Sequence, residues 1–316
     1  MLQLSGPLLV GSGAFIISFS PVFVRLATVE PTMAAFYRCL LGALVLTSFA
    51  LVKGEPLRWG RRKAALALMA AVFFGLDLTF WHLSIEAVGP GIATILANLQ
   101  VFFLAGLAML FLKERPGAGL FIAMAIAVGG VTLLVGINRF QSDLYFRAGV
   151  FFGLLTAFAY AVYIIVLRRL QVNERTYAQV MNIALVSMIC ALLLGLAAWL
   201  QGERFVLPDS KSWIAMIAYG VLCQGLGWFL ISTGLPKMEA SRAGLLLLLQ
   251  PTGAFIWDIL IFARPTSGME YFGAGLALTA IYLGGTTKKT VPKTASKKKP
   301  LPFTQARRKA QDKMSS

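Results

Sequence analysis

Residues that build most enzyme active sites are scarce in this sequence. The 316 residues include one histidine, three cysteines and only 13 aspartates and glutamates. Cys39, Cys190 and Cys223 each lie inside an apolar run and lack the close spacing of metal ligands, so we interpret them as packing residues. The sequence contains neither a Walker-type glycine loop nor a nucleophile elbow. We therefore expect no enzyme, no metal and no cofactor, and no site that binds ATP.

Charged residues are scarce as well, and the chain contains long apolar runs. Charged residues make up 13% of the chain, hydrophobic residues make up 58%, and the mean hydropathy is +0.76, whereas soluble domains carry about 25% charged residues. About twenty apolar residues cross a bilayer as a helix. The sequence therefore predicts an all-α membrane protein with ten transmembrane helices. The runs are 6–26, 31–52, 64–85, 90–112, 117–136, 148–167, 177–200, 212–235, 240–262 and 268–285.

Basic residues outnumber acidic ones by 29 to 13 and give a formal net charge of +16. Lysine and arginine in short loops stay on the cytoplasmic side of a membrane. With the N-terminus inside, the inner loops and the C-terminal end hold 22 of the 29 basic residues, and the outer loops hold six. This asymmetry predicts a multi-pass membrane protein with both termini in the cytoplasm. The basic residues are not interleaved with aromatic ones, so we expect no nucleic-acid partner.

Residues 286–316 differ in composition from everything before them. They are rich in lysine, threonine, proline and serine and poor in apolar residues. Such a segment cannot bury enough surface to fold alone, so we expect a disordered cytoplasmic tail that lies near anionic lipid headgroups. A regulatory or partner-binding role of this tail is the alternative.

The chain repeats itself at half its length. Residues 9–52 align with residues 153–196 at an offset of 144, and further on, at an offset of 150, Leu99-Gln100 matches Leu249-Gln250. Each half holds five spans, and an odd number of crossings places the two halves in opposite orientations. The sequence thus predicts a five-plus-five inverted-topology repeat, with a first repeat at 6–136, a second repeat at 148–285 and the tail.

Three stretches carry a resemblance to a known family. They are SPVFVRLATVEPTMAAFYRCLLGAL, FFGLDLTFWHLSIEAVGPGIATILANLQ and LKERPGAGL, and together with the ten spans they resemble the EamA type of the drug/metabolite transporter superfamily over residues 6–285. The resemblance implies export of amino acids or related small metabolites from the bacterial inner membrane, although other members import metabolites. Two departures stand out: Val101 replaces a frequent proline that the second half keeps as Pro251, and Glu114-Arg115 becomes Ala263-Arg264.

Amide and aromatic side chains in the spans are the candidate substrate-binding residues. Gln100 and Gln250 lie about ten residues into their spans, near mid-membrane, where an amide without a partner is costly. Phe73, Asp77 and Trp81 share one helix face by their spacing of four. Both glutamines could instead serve as hydrogen bonds between helices, and the aromatic residues as packing. The complete substrate-binding set is Gln100, Gln250, Gln224, Trp81, Trp228, Tyr160 and Tyr163.

Charged residues within the spans are the candidates for coupling or gating. Arg38 and Asp77 lie at matching depth, so a static ion pair that holds the fold together is the favoured interpretation. The alternative is that Asp77 binds and releases a proton during transport. His82 is either a proton relay or an interfacial residue. Asn182, which the repeat aligns with Arg38, belongs to the same set.

The function that these features predict is secondary transport of a small metabolite, such as an amino acid or a related compound, out of the cell by alternating access. The expected partners are the small-molecule substrate and membrane lipids, and a monomer is the simplest expectation. An importer of the same fold is the first alternative. A membrane scaffold that acts through its basic tail is the second.

Overall fold

A computed structural model describes residues 5–56, 59–135, 144–263 and 265–286, and within them the chain is helical, with no strand. The tail from residue 287 on and the basic residues Arg58, Arg139 and Arg264 lie outside these ranges. The α-helices are α1 (Gly6–Ile17), α2 (Ser20–Leu26), α3 (Pro31–Val52), α4 (Arg61–Asn98), α5 (Gln100–Leu112), α6 (Ala118–Val135), α7 (Leu144–Gln171), α8 (Thr176–Leu200), α9 (Ser210–Ala218), α10 (Trp228–Gly234), α11 (Ala240–Leu247), α12 (Leu249–Phe262) and α13 (Gly268–Thr286). A π-helix (Tyr219–Gly227) joins α9 to α10, and a 3-10 turn (Leu235–Lys237) follows α10.

Seven helical segments in the described part of the chain are long and apolar enough to cross a membrane, and two shorter apolar helices accompany them. The outer surfaces of these helices carry large apolar side chains, such as Leu110, Leu192 and Trp199, as expected of helices that face lipid. The seven spans are Gly6–Leu26, Thr32–Val52, Arg61–Val88, Leu144–Gln171, Thr176–Leu200, Ser210–Lys237 and Ala240–Phe262, and the shorter helices are Leu96–Leu112 and Ala118–Leu133.

Helix α4, whose bounds are Arg61–Asn98, doubles back on itself. A Cβ atom added to Gly153 of α7 would lie 3.0 Å from Ser84 Oγ and 2.6 Å from Leu96 Cδ1. Twelve residues of straight helix span about 18 Å, so both side chains could not reach one glycine from a straight helix. The chain therefore reverses between Ser84 and Leu96, where the turn signal Val88-Gly89-Pro90-Gly91 lies, and α4 has two arms.

Several other helices are interrupted, and polar residues lie at the interruptions. Ser18 separates α1 from α2; its hydroxyl donates to the Phe15 carbonyl at 2.5 Å and accepts from Trp257 Nε1 at 2.7 Å. Pro251 near the start of α12 has no N–H to donate to the preceding turn. These interruptions free backbone and side-chain polar groups in the middle of the helix bundle, which is where transporter folds place their substrate sites.

The helices of the first half pack on helices of the second half. Helix α3 packs on α8, α6 packs on α13, α4 packs on α7, and α1 packs on both α10 and the π-helix. Small residues let these backbones approach: a Cβ atom on Gly13 would lie 2.5 Å from the Gly227 carbonyl oxygen, and one on Gly130 would lie 2.6 Å from the Ala277 nitrogen. Close approach of this kind is how apolar helices associate where burial from water supplies no driving force.

Candidate functional site

A cavity of about 330 Å³ lies among these helices. Its wall combines apolar and aromatic side chains with a few polar groups, which is typical of small-molecule sites. The residues that line it are Ile17, Ser20, Pro21, Arg38, Phe74, Asp77, Leu78, Trp81, Thr94, Ala97, Asn98, Gln100, Thr156, Tyr160, Tyr219, Trp228, Leu247, Gln250, Pro251 and Ala254.

The cavity wall carries one positive and one negative side chain that do not pair with each other. Arg38 is only 7% exposed, and its Nε donates to Gln224 Oε1 at 2.8 Å and its Nη1 to the Tyr219 hydroxyl at 3.1 Å. The Asp77 carboxylate has neither a hydrogen bond nor an ion pair within the described residues. The prediction of a static Arg38–Asp77 ion pair was therefore wrong, because Nε and Nη1 of Arg38 donate to neutral oxygens of the second half instead.

Aromatic rings form one side of the cavity. Phe74, Trp81, Tyr160 and Trp228 line it, and Tyr163 lies behind them, stacked on Phe74 with ring centroids 4.7 Å apart and set edge-on to Trp228 at 5.0 Å. Tyr163 is thus a supporting residue and not part of the lining. The aromatic rings present both an apolar surface and, on Tyr160 and Trp228, polar edges.

The face of α4 that lines the cavity contains two of the three predicted residues, Asp77 and Trp81, but a different phenylalanine. Phe74 lines it together with Asp77, Leu78 and Trp81, whereas Phe73 packs at the edge of the apolar core. Residues spaced by four and by three share a helix face equally well, and the spacing of four chosen from the sequence selected the wrong phenylalanine.

Both predicted mid-span glutamines line the cavity. Gln100 begins α5 just after the interruption at Leu99, and its buried Oε1 has no hydrogen-bond partner. Gln250 lies at the start of α12, and its Nε2 donates to the Tyr160 hydroxyl at 3.3 Å. The neighbouring Asn98 Nδ2 is also buried without a partner. Because an unpaired buried amide costs about 1–3 kcal/mol, Gln100 and Asn98 are suited to hydrogen-bond a bound molecule.

Three further predicted residues lie outside the lining. Gln224 lies behind Arg38 and joins it to Ser187. Asn182 lies at the interface of α7 and α8, where its Nδ2 donates to Gln171 Oε1 at 3.1 Å. His82 is half-buried next to Trp81, with ring centroids 5.5 Å apart. The structure brings neither Asn182 nor His82 into contact with the cavity.

Sequence reasoning missed Tyr219, which lines the cavity. Tyr219 lies five residues before Gln224, a spacing that separates two side chains on an α-helix and joins them only on the π-helix found here. Asn98 lies two residues before Gln100, and its polarity inside an apolar run identified it from the sequence as a group that lipid tolerates poorly. It was not included in the predicted substrate-binding set, although it lines the cavity.

Glu114 ties helix α5 to helix α11 away from the cavity. Its carboxylate accepts hydrogen bonds from the Ala240 amide at 2.8 Å, the Ser241 amide at 3.2 Å and the Ser241 hydroxyl at 2.9 Å. Arg168 Nη1 lies 3.7 Å from the same carboxylate, and Arg168 also donates to the carbonyl oxygens of Leu235 and Met238. A carboxylate at a helix N-terminus is favourable because of the exposed amides and the helix dipole. Four segments of the chain are held together at this point.

The sequence model of the EamA-like transporter family matches the chain twice, over residues 4–136 and 147–285. The chain is 25% identical over 222 residues to the pseudopaline exporter CntI of Pseudomonas aeruginosa. The aligned region covers 69% of this chain and 74% of that protein. It is 24% identical to the uncharacterized transporter YdfC of Bacillus subtilis, over 81% of each chain. A crystal structure shares the fold with a TM-score of 0.77 at 17% identity, over 89% of this chain and 98% of that one. As its motifs predicted, the chain belongs to the EamA-like transporter family and is a multi-pass membrane transporter.

Proposed function

We propose that this protein exports a small, amino-acid-like metabolite across the cytoplasmic membrane by alternating access. The observation that carries the proposal is the cavity, in which the Asp77 carboxylate and the Arg38 guanidinium both line the wall without pairing. A zwitterion with an ammonium and a carboxylate group complements these two charges. Its side chain would contact the aromatic wall, and Gln100 and Asn98 would supply neutral hydrogen bonds.

The architecture belonging to this proposal is ten membrane helices in a five-plus-five inverted repeat. Its first support is the family model, which matches each half separately. Its second support is the packing. The repeat aligns α3 with α8 and α6 with α13, and the two helices of each pair pack together. The contact of α1 with α10 likewise has its counterpart in the contact of α7 with α4. Contacts that stay the same when the two halves are interchanged are expected when a two-fold axis relates the halves.

Local geometry repeats as well. Helix α5 ends at Lys113 with φ 55°, and helix α12 ends at the aligned Ala263 with φ 50°. The Arg25 guanidinium carbon lies 4.1 Å from the centre of the Phe262 ring, and the aligned Arg169 lies 5.9 Å from that of Phe111. These similar details in the two halves support the proposed repeat.

With both termini in the cytoplasm, the described conformation is open toward the outside. Each helix that lines the cavity then contributes its middle or its outer half, as Asp77 and Trp81 do for α4 and Ala254 does for α12. The contacts of Glu114 lie at the opposite, cytoplasmic ends of α5 and α11 and close that side. Export would require this closure to open while the outer side shuts. The likeness to the pseudopaline exporter CntI supports the outward direction.

The test compares solutes inside and outside cells that produce the intact protein, the Gln100→Leu variant or the Gln179→Leu variant at equal abundance. Gln179 is the matched control, since it is a buried glutamine whose amide, among the described residues, bonds only to the Gln171 carbonyl, outside the cavity. We expect one or a few amino-acid-like solutes to accumulate in the medium with the intact and Gln179→Leu proteins and to fall with Gln100→Leu.

Other outcomes decide against the proposal. Depletion of a solute from the medium would identify an importer. A difference from empty cells that is equal for all three proteins would remove Gln100 from the site. No difference from empty cells for any of the three would contradict transport of amino-acid-like metabolites.

A further inference from the structure

The π-helix brings two side chains together that the sequence separates by five residues. On an α-helix, residues five apart point about 140° away from each other, whereas the i to i+5 hydrogen bonds of a π-helix place them nearly one above the other. Tyr219 and Gln224 thereby reach the same guanidinium, that of Arg38, at 3.1 and 2.8 Å. The π-helix is therefore the element that makes this two-point contact possible.

A second contact fixes the orientation of Gln224. Its Nε2 donates to the Ser187 hydroxyl of α8 at 2.8 Å, and both side chains are buried. Because a guanidinium only donates hydrogen bonds, the Gln224 amide must present its oxygen to Arg38 and its nitrogen to Ser187. Helix α3 lies close on the other side, since a Cβ atom on Gly42 would lie 2.6 Å from Gln224 Cβ. The Gln224 amide thus has a single satisfactory orientation.

These contacts leave one end of the guanidinium available. Nε and Nη1 of Arg38 are engaged, while Nη2 has no hydrogen-bond partner among the described residues. The guanidinium carbon lies 5.5 Å from the centre of the Phe74 ring and 5.1 Å from that of Tyr219, so the group is also held by two aromatic rings. A guanidinium held in this way presents its free N–H groups in a fixed plane, which suits a carboxylate.

We propose that Gln224 is a positioning residue, linked to Ser187, which orients Arg38 so that the transporter selects substrates that carry a carboxylate. The proposal rests on the amino-acid-like substrate proposed above. It also assigns a role to each of the two charged residues of the cavity. Arg38 binds the carboxylate of the substrate, and Asp77 binds its ammonium group. Gln224 contacts neither group and acts only through Arg38.

Three probes that differ by one group each test the proposal. They are L-phenylalanine, phenethylamine, which lacks the carboxylate, and 3-phenylpropanoate, which lacks the ammonium group; the aromatic wall of the cavity suits their common ring. Binding is measured by titration calorimetry on the full-length protein in lipid nanodiscs. The variants are Gln224→Leu, Ser187→Ala and, as a matched control, Gln179→Leu.

We expect the intact protein to bind L-phenylalanine more tightly than phenethylamine. In Gln224→Leu this preference falls about tenfold, as expected for the loss of a hydrogen bond to a charged group, and the Kd of phenethylamine is unchanged. Ser187→Ala lowers the preference less, by about threefold, because Gln224 keeps its bond to Arg38. Gln179→Leu keeps the preference of the intact protein. A merely structural role of Gln224 would weaken all three probes equally.

Each contrary result overturns a different statement. An unchanged preference in Gln224→Leu, or an equal loss for all probes, overturns the positioning role and leaves the proposed function intact. Equal or tighter binding of phenethylamine by the intact protein overturns the assignment of Arg38 to the carboxylate. Absence of binding for all three probes contradicts the proposed substrate class and this inference with it.

Discussion

Asp77 is a buried carboxylate of the cavity wall, and the described part of the protein offers it no partner. Its carboxylate lines the cavity with no hydrogen bond or ion pair within the described residues. A buried charge without a protein partner is costly, so this carboxylate is suited to bind a cation, an ammonium group of a substrate or a proton. The same argument applies more weakly to the unpaired amide atoms of Gln100 and Asn98.

The variant Asp77→Asn keeps the shape of the side chain and removes the charge. We expect the flux of an ammonium-bearing substrate to fall at least about tenfold, the loss of one charge-assisted contact, and the remaining flux not to respond to a pH gradient. The measurement is flux into proteoliposomes with imposed pH gradients. Glu86→Gln, an exposed carboxylate on the same helix, is the control. Normal flux at every gradient tested would exclude proton coupling through Asp77.

Helix contacts are decided by single positions, as the pair Gly129 and Gly130 in α6 illustrates. A Cβ atom on Gly130 would lie 2.6 Å from the Ala277 nitrogen and 2.7 Å from the Gly273 oxygen of α13, whereas one on Gly129 would have no neighbour within 4 Å. Two adjacent glycines of equal helix propensity therefore have unequal roles. The sequence analysis could not separate them.

The pair gives a direct test of helix packing. We expect Gly130→Ala to lower the melting temperature of the protein in detergent by several degrees, because the backbone of α13 must move. Gly129→Ala should leave it unchanged or raise it slightly, since alanine is favoured over glycine in a helix by about 1 kcal/mol. Equal effects of the two substitutions would contradict the close contact of α6 with α13.

The contacts of Glu114 suggest how one side of the molecule stays closed. Glu114→Gln keeps an acceptor and removes the charge that binds the N-terminus of α11 and Arg168. We expect amide hydrogen exchange in Ala240–Leu247 to rise about tenfold, because each hydrogen bond to a charged group contributes about 1.5–3 kcal/mol. Glu174→Gln, which breaks the ion pair with Lys63 at 2.8 Å, serves as control. Unchanged exchange in α11 would show that these contacts do not hold it.

At the scale of the whole molecule, the cavity exists only because the two halves pack on each other. Arg38, Asp77 and Gln100 come from the first half, and Tyr219, Trp228 and Gln250 come from the second. Neither half alone contains both the guanidinium and the groups that orient it. A movement of one half against the other would therefore change every side of the site at once, as alternating access requires.

The tail supplies the test that separates a transporter from a scaffold. A chain that ends after residue 286 loses ten basic residues, but the inner loops keep twelve against six in the outer loops. We expect metabolite flux to be retained and the orientation to be unchanged, because the remaining loops still satisfy the positive-inside rule. Flux assays combined with reporter fusions at both termini provide the measurement. A loss of flux at normal abundance would assign the tail an essential role.

Sequence alone determined the class of the protein and selected several of the residues that line the cavity. Apolar runs follow directly from the thickness of the bilayer, so the membrane class could be read without a structure, and the motifs identified the family. A polar group inside an apolar run is conspicuous for the same physical reason. This is why Gln100, Gln250, Arg38, Asp77, Trp81, Tyr160 and Trp228 were all selected from the sequence and all line the cavity.

Only the tertiary structure decided which partner each polar group has. Matching depth predicted that Arg38 pairs with Asp77, but depth does not fix the direction of a side chain around its helix. The partners of Arg38 are Gln224 and Tyr219, which both face it because their segment is a π-helix. Helical periodicity assumes 3.6 residues per turn, and a local departure from that number turns side chains to faces that no sequence pattern predicts.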